Sequence, residues 1–278
     1  MSQTDTTLAH LEGLFLEVRR AVMRAGAGSG VEVKFNAKGD RVRSFDTAAH
    51  EAACAYLGDR FPWPVEVLSE EDAPRRVGAG EPEFTVILDP VDGSDNFARG
   101  IAPSAVAVAL TPAGEPIAVD TVQFALVGDL LTGEVWRARR GQGASSNGRA
   151  LRTTAVTLLE EAMLSCEMNH FAVGEKLTCL LSRARGVRAF GCATWALVKV
   201  AGGALDAHLD LRGRLTPENF LAPSLILAEA GGVVTDGEGK ALPPVRGLTE
   251  RFSVVAAATP DLHAALMRQL NESPPHEE

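Results

Sequence analysis

The feature that most restricts the fold of this 278-residue chain is an apolar strand that runs directly into a group of acidic turn residues. Residues 84–88 are Phe-Thr-Val-Ile-Leu, and residues 89–97 are Asp-Pro-Val-Asp-Gly-Ser-Asp-Asn-Phe. An apolar run bounded by Pro, Gly and Asp is typical of a strand that ends in a tight turn. Because Pro90 has a fixed backbone angle, we expect Asp89 and Asp92 to leave the strand end in defined directions.

Two interpretations of this turn are open on its residues alone. Asp89 and Asp92 can converge on a divalent cation, since Mg²⁺ binds carboxylate oxygens together with water and substrate phosphate. The backbone amides of Gly93 and Ser94 can then donate to the oxygens of that phosphate. A turn rich in Asp, Gly and Ser that binds nothing is also common.

A second acidic group follows the predicted strand at 65–68, where residues 69–72 are Ser-Glu-Glu-Asp. Such a charge run usually lies on a solvated surface. Here it ends a strand that precedes the 84–88 strand, so packing of the two strands can bring Glu70 close to Asp89. Glu70, Asp89 and Asp92 would then form a two-metal carboxylate site of the kind used for phosphoryl transfer.

Charge and length exclude several other classes. The 27 Lys and Arg residues against 36 Asp and Glu give a net charge of −9, which disfavours binding to nucleic acid. No apolar run approaches the roughly 20 residues of a membrane helix, and no basic stretch followed by an apolar core opens the sequence. None of the four cysteines is in a CxxC pair, so we expect reduced thiols, a cytoplasmic protein and no membrane partner.

The order of predicted elements changes near residue 148. We expect helices at 8–22, 46–56, 176–184, 194–201, 217–230 and 260–270. Strands are expected at 65–68, 84–88, 105–110, 117–124, 134–138, 163–166, 187–190, 207–211, 233–234 and 253–257. This order predicts an α+β half, residues 1–148, with the metal-binding motifs, and an α/β half, residues 149–278, that completes the active site and substrate pocket.

Segments 69–71 and 89–97 together resemble motifs of the inositol monophosphatase family, which are Mg²⁺-dependent, Li⁺-sensitive phosphatases of the fructose-bisphosphatase superfamily. Further likeness to that family occurs at 38–40 with Asp46, and at 141–148, 191–193, 202–207 and 229–232. The resemblance therefore covers nearly the whole chain. It implies a layered αβαβα sandwich with the site between the two halves, and a homodimer.

The same resemblance implies a role for individual residues. The first metal would be held by Glu70, Asp89 and the carbonyl of Val91, and Glu70 would take part in catalysis with Asp46 and Ser94. Ser94, hydrogen-bonded to Asp46, would help to activate the attacking water. The second metal would be held by Asp89, Asp92 and Asn219. Contact with the substrate would come from Asp92, Gly93, Ser94, Gly191, Ala193 and Arg212.

One position departs from the family pattern. Ten residues before Glu229 the family has Asp, and this chain has Asn219, with Glu218 where the family has Trp. Asn is a weaker ligand for Mg²⁺ than a carboxylate. Three interpretations remain open. Asn219 holds the metal weakly, Glu218 takes its place from about 100° around the helix, or the protein is catalytically impaired and acts as a binding partner.

The substrate is constrained by Asp-Leu-Arg-Gly at 210–213, which resembles archaeal and bacterial members that also hydrolyse fructose 1,6-bisphosphate. The Arg212 fork could hold a second phosphate, or it could face solvent or an interface. We therefore expect a Mg²⁺-dependent phosphomonoesterase acting on a small phosphorylated metabolite, inositol 1-phosphate or fructose 1,6-bisphosphate. The alternatives are a pseudo-phosphatase with a binding or regulatory role and a 3′-phosphoadenosine 5′-phosphate phosphatase.

Overall fold

Helices form where the sequence carries apolar stripes. The computed structural model describes residues 3–26, 31–35 and 41–271. The first helix buries Leu11, Phe15, Val18 and Val22 on one face, and it ends before Gly26, whose φ is 77°. Within the described ranges the helices are α1 (Gln3–Ala25), α2 (Ser44–Asp59), α3 (Ser94–Arg99), α4 (Glu175–Arg183), α5 (Ala193–Ala201), α6 (Pro217–Glu229) and α7 (Pro260–Asn271).

The strands of the same ranges form two larger sheets and a hairpin. They are β1 (Val31–Phe35), β2 (Arg41–Arg43), β3 (Val65–Ser69), β4 (Asp72–Val77), β5 (Phe84–Asp92), β6 (Ala105–Pro112), β7 (Phe124–Asp129), β8 (Val135–Arg139), β9 (Ala144–Ser146), β10 (Arg149–Ala150), β11 (Met163–Cys166), β12 (Gly186–Arg188), β13 (Ala207–Leu215), β14 (Val233–Asp236) and β15 (Phe252–Ala257). The large sheet has the order β10-β9-β8-β7-β6-β5-β3-β4, and the small sheet has the order β12-β11-β13-β15-β14. In the large sheet β3 and β5 are parallel, and the other neighbours are antiparallel.

Three buried clusters arrange these elements in layers. Helices α1 and α2 pack on one face of the large sheet. Helices α5 and α6 lie between the two sheets, and α4 and α7 cover the outer face of the small sheet. The predicted αβαβα sandwich is therefore confirmed. The large sheet lies within residues 65–150 and the small sheet within 163–257, and the division of the chain at residue 148 stays a prediction.

Strand β6 shows how the sequence sets the packing of the layers. Its side chains alternate, with Ala105, Ala107 and Ala109 in the cluster of α5 and α6, and Val106 and Val108 in the cluster of α1 and α2. Alternation is expected because successive side chains of a strand point to opposite faces. The small alanine side chains let α6 pack closely across the middle of the large sheet, which positions the first turn of α6 near the end of β5.

Most predicted elements are confirmed to within a few residues, and one prediction is wrong. Residues 117–124 do not form a strand, and the strand begins instead at Phe124. The Thr121 hydroxyl donates to the carbonyls of Pro116 and Ala118 and accepts from the Ala118 amide, so these residues close into a turn. Strands β1, β2, β4, β9 and β10 and helix α3 were not predicted. Residues 38–40 and the C-terminal tail lie outside the described residues.

None of the helices in the described ranges combines the length and the apolar character needed to cross a bilayer.

Candidate active site

The parallel pairing of β3 and β5 brings the two acidic groups to one edge of the large sheet. Ser69 pairs with Leu88 in this register, so Glu70 and Asp89 leave adjacent strands at the same edge. Glu70 lies in the turn between β3 and β4, and β5 continues past Asp89 to Asp92. The proximity that the sequence suggested for these two strand ends follows from this register.

Asp89 is buried, with 1 % of its surface exposed, and its carboxylate is held by the protein. Its Oδ1 accepts from the amide of Val91 at 2.9 Å, and its Oδ2 accepts from Nδ2 of Asn219 at 2.6 Å. Oδ1 of Asn219 accepts from the Thr216 hydroxyl at 2.8 Å. Asn219 therefore presents an N–H to Asp89. A hydroxyl can also accept, so Thr216 is compatible with the opposite orientation of the amide.

Asp92 connects the end of β5 to the start of α5. Its Oδ2 accepts from the backbone amide of Thr194 at 2.8 Å, and the Cys192 thiol donates to the same oxygen at 3.2 Å. A carboxylate is stabilised at a helix N-terminus because the first amides of the helix have no partner within it. Through this contact Asp92 positions the predicted substrate residues Gly191, with a φ of 65°, and Ala193, the first residue of α5.

The turn at Gly93 requires glycine. Its φ is 77°, and a Cβ there would lie 3.0 Å from the carbonyl oxygen of Pro103 and 3.1 Å from Cβ of Cys192. Asn96 holds the turn in place, since its Nδ2 donates to the carbonyls of Pro103 at 2.9 Å and Phe190 at 2.7 Å. Gly93 and Asn96 thus bind the Ser94 turn to the segment that precedes α5.

Ser94 and Asp46 are joined through Arg43 and not directly. Nη1 of Arg43 donates to Oγ of Ser94 at 3.0 Å, while the backbone amide of Arg43 donates to Oδ2 of Asp46 at 2.8 Å. The direct Ser94–Asp46 hydrogen bond expected from the resemblance is not found among the described residues. The reason is that Asp46, in the first turn of α2, caps the amide at the helix start. Burial raises the pKa of Asp46 to about 6.

Arg43 was not predicted as a site residue. Its only signal in the sequence is a basic side chain three residues before Asp46, and such a side chain is normally solvent-exposed. Its position next to Ser94 depends on the packing of α2 against β5.

Glu167 is a second site residue that no pattern in the sequence indicated. It follows β11, is 2 % exposed, and accepts from the amide of Gly191 at 3.1 Å. Burial raises the pKa of its carboxyl to about 7, and the nearby Arg212 opposes this rise. Glu167 therefore lies behind the predicted substrate segment as a buried carboxyl.

The guanidinium of Arg212 is not free to bind a phosphate, and it does not face solvent. Its Nε and Nη2 donate to the two carboxylate oxygens of Asp210 at 2.9 and 2.7 Å, and the side chain of Asp210 is fully buried. The bidentate face of Arg212 is thus occupied by a protein carboxylate.

The structure also gives the positions of Glu229 and Glu218, two acidic residues that the family comparison of the sequence singled out. Glu229 accepts from the amides of Gly141 and Gly143, each at 2.7 Å, which explains why the 141–148 and 229–232 segments occur together: they form one structural contact. Glu218 is buried in the first turn of α6, with 1 % exposure.

The donor atoms at the strand ends are hard oxygens, which suit Mg²⁺. Glu70, Asp89 and the Val91 carbonyl supply them. Within the described part of the chain, no three side chains of His, Cys, Asp or Glu are already gathered around one point. Asn219 fits a cation only with its amide turned to present Oδ1.

Known proteins match this chain over most of its length. A sequence model of the inositol monophosphatase family matches residues 4–274. The fructose-1,6-bisphosphatase/inositol-1-monophosphatase of Methanothermobacter thermautotrophicus is 30% identical over 264 residues, which cover 91% of this chain and 92% of that protein. The inositol-1-monophosphatase of Bacillus subtilis is 28% identical over 244 residues, covering 86% of each chain.

Solved structures give the same result. The extragenic suppressor protein suhB of Bartonella henselae superposes with a TM-score of 0.81 at 25% identity, covering 96% of this chain and 99% of that one. The inositol monophosphatase of Anabaena has the same fold, with a TM-score of 0.76 at 22% identity and 99% of each chain covered. The chain therefore belongs to the inositol monophosphatase family.

Proposed function

We propose that this protein hydrolyses the phosphate monoester of a small sugar or inositol phosphate and that Mg²⁺ is its cofactor. One observation supports the proposal: Ser69 of β3 pairs with Leu88 of the parallel strand β5, so Glu70 and Asp89 leave adjacent strands at one edge of the sheet, just before Asp92, Gly93 and Ser94. The names of the relatives from Methanothermobacter thermautotrophicus and Bacillus subtilis, a fructose-1,6-bisphosphatase/inositol-1-monophosphatase and an inositol-1-monophosphatase, support it.

The residues that would hold a cation are those at the two strand ends. Glu70, Asp89 and the carbonyl of Val91 form one set of oxygen donors. A second set of Asp89, Asp92 and Asn219 requires the Asn219 amide to exchange the places of Oδ1 and Nδ2, which the Thr216 hydroxyl permits. When bound, Mg²⁺ would neutralise charge on the phosphoryl oxygens and lower the pKa of a water.

The turn residues would bind and orient the phosphoryl group. The hydroxyl of Ser94 accepts from Arg43, so its own hydrogen is available to a phosphoryl oxygen. The backbone amides of Gly93 and Ser94 belong to the same turn and can donate to the other phosphoryl oxygens. Asp46, whose pKa is raised to about 6, is largely ionised at neutral pH and suited to accept a proton close to that pH.

The remainder of the substrate would lie against the segment before α5. Gly191 and Ala193 line that side, and Glu167 fixes it through the Gly191 amide. Arg212 reaches a second phosphate only by exchanging Asp210 for it. The homodimer implied by the family resemblance and the cytoplasmic location expected from the cysteines stay predictions.

Phosphate release tests the proposal. Inositol 1-phosphate, fructose 1,6-bisphosphate and 3′-phosphoadenosine 5′-phosphate are each incubated with the purified protein across a Mg²⁺ titration. We expect turnover of one of the first two. The near-isosteric Asp89→Asn should lower kcat/KM by about a hundredfold, because the cation loses a charged ligand. Asp261→Asn, on the exposed first turn of α7, removes the same charge elsewhere and should leave activity unchanged.

The contrary outcome is no phosphate release from any of the three esters, at any Mg²⁺ concentration, by protein that is folded. That result would support the binding or regulatory role. Turnover of 3′-phosphoadenosine 5′-phosphate alone would correct the substrate class.

A further inference from the structure

We propose that Arg43 is a ligand of the substrate phosphoryl group and that it exchanges Asp95 for a phosphate oxygen when the substrate binds. The inference rests on the proposed function for the identity of the ester. The chemistry that Arg43 recognises is that of a phosphate dianion, and binding alone can test it.

The guanidinium of Arg43 is held beside a predicted substrate residue. Nη1 lies 3.0 Å from Oγ of Ser94, and the side chain is only 13% exposed. Its Cζ is 5.9 Å from the centroid of the Phe45 ring, which packs edge-to-face on Phe97 of α3 at 4.8 Å. Aromatic contact on one side and Ser94 on the other therefore restrict where the guanidinium can go.

The present partner of Arg43 is easily displaced. Nη2 pairs with the carboxylate of Asp95, whose side chain is 82% exposed. An ion pair with so exposed a partner contributes little stability, because water solvates the free carboxylate well. A phosphate dianion offers several oxygens in the geometry that an arginine fork matches.

Arg212 provides the contrast. Its partner Asp210 has a fully buried side chain and binds it in two hydrogen bonds. Releasing Arg212 would leave a buried carboxylate without its cation, which is costly. Arg43, in contrast, is a basic side chain beside Ser94 that can change partner at low cost.

The surroundings explain why a cation is needed at this point. Asp46 and Asp95 face Arg43, and Asp89 and Asp92 lie just before Ser94 in the chain. Four carboxylates repel an incoming phosphate. A fixed guanidinium offsets part of that repulsion at the point where the Ser94 hydroxyl meets the phosphate.

Inorganic phosphate is the probe, titrated calorimetrically into the full-length protein at saturating Mg²⁺. We expect Arg43→Gln to weaken phosphate binding about tenfold, the usual effect of losing a hydrogen bond to a charged group, and Arg43→Lys to recover part of the loss. Asp95→Asn should tighten binding about threefold, because it removes the competing carboxylate. Arg99→Gln, at the far end of α3, is the matched control and should bind like the wild type.

A double-mutant cycle separates partner exchange from a general change in charge. In the Arg43→Gln background, Asp95→Asn should have little effect on phosphate binding. The proposal is overturned if Arg43→Gln binds phosphate as tightly as the wild type, or if Asp95→Asn has the same effect in both backgrounds. If Arg43→Gln does not fold, the Arg43→Lys and Asp95→Asn variants still test the proposal.

The experiment also distinguishes the two proposals. Loss of phosphate binding in Arg43→Gln, without turnover of any ester by the wild type, supports the Arg43 assignment and contradicts the phosphatase. Normal turnover and unchanged phosphate binding in Arg43→Gln support the phosphatase and contradict the Arg43 assignment.

Discussion

Replacing Asn219 by aspartate places two carboxylates where the protein now has a donor and an acceptor. Nδ2 of Asn219 donates to Oδ2 of Asp89 at 2.6 Å, and Asp89 is 1 % exposed. Asn219→Asp removes a hydrogen bond to a charged group, which contributes about 1.5–3 kcal/mol, and adds repulsion between like charges.

The repulsion has an upper limit, since the introduced carboxyl can bind a proton and donate again. Protonating a carboxyl of ordinary pKa at pH 7 costs about 4 kcal/mol. We therefore expect metal-free Asn219→Asp to lose about 2 to 4 kcal/mol of its free energy of unfolding at pH 7.

Urea unfolding in EDTA and in Mg²⁺, at pH 5 and pH 7, measures this effect. At pH 5 the proton costs only about 1.5 kcal/mol, so the loss should shrink. The sign follows because the folded variant binds a proton more tightly than the unfolded chain, and its stability falls as the pH rises. A cation between the two carboxylates replaces the proton, and at a hundredfold excess over its Kd it adds about 2.7 kcal/mol.

Asn271→Asp, at the exposed end of α7, adds the same charge and is the control, with an expected change within about 0.5 kcal/mol. If Asn219→Asp is as stable as the wild type in EDTA at pH 7, the described contact with Asp89 is refuted. If Mg²⁺ stabilises the variant no more than the wild type, Asn219 does not lie next to a cation site.

Three further predictions concern other contacts of the site. Gly93→Ala should lower the free energy of unfolding by about 2 kcal/mol and reduce activity. The reason is that the φ of 77° and the 3.0 Å approach of the added Cβ to the Pro103 carbonyl oxygen are both unfavourable. Wild-type stability in urea would contradict this. Glu229→Gln should lower the free energy of unfolding, measured in urea, by about 2 kcal/mol and leave activity per folded molecule unchanged. The substitution replaces a carboxylate that accepts hydrogen bonds from two backbone amides. A selective loss of kcat would indicate a catalytic role instead. Burial raises the pKa of Glu167 from 4.5 to about 7, so the wild type loses up to about 3 kcal/mol as the pH rises through this window. Glu167→Gln lacks that loss and should gain stability on the wild type between pH 4.5 and 8 in urea titrations; parallel pH profiles would show that Glu167 is not buried as described.

Most helices and strands of the fold could be predicted from local features of the sequence. The apolar stripe of α1 and the turn at 89–94 are set by neighbours along the chain, through side-chain periodicity and the backbone limits of Pro and Gly. These features could be predicted because they depend on few residues. The same logic failed at 117–124, where a hydroxyl of Thr121 competes with the strand ladder for backbone groups, and apolar content does not record that competition.

The partners of the charged groups could not be predicted in this way. Asn219 and Asp89 are 130 positions apart, and Arg43 and Ser94 are 51 apart. Many Asn and Arg side chains in the chain can donate to a carboxylate or a hydroxyl, and sequence pattern does not distinguish among them. The residue types therefore establish an acidic, oxygen-rich strand end suited to cation and phosphate. Packing of α6 over the large sheet and of α2 against β5 selects which donor meets each oxygen, because hydrogen bonds form only between groups that the folded backbone brings within about 3 Å of each other.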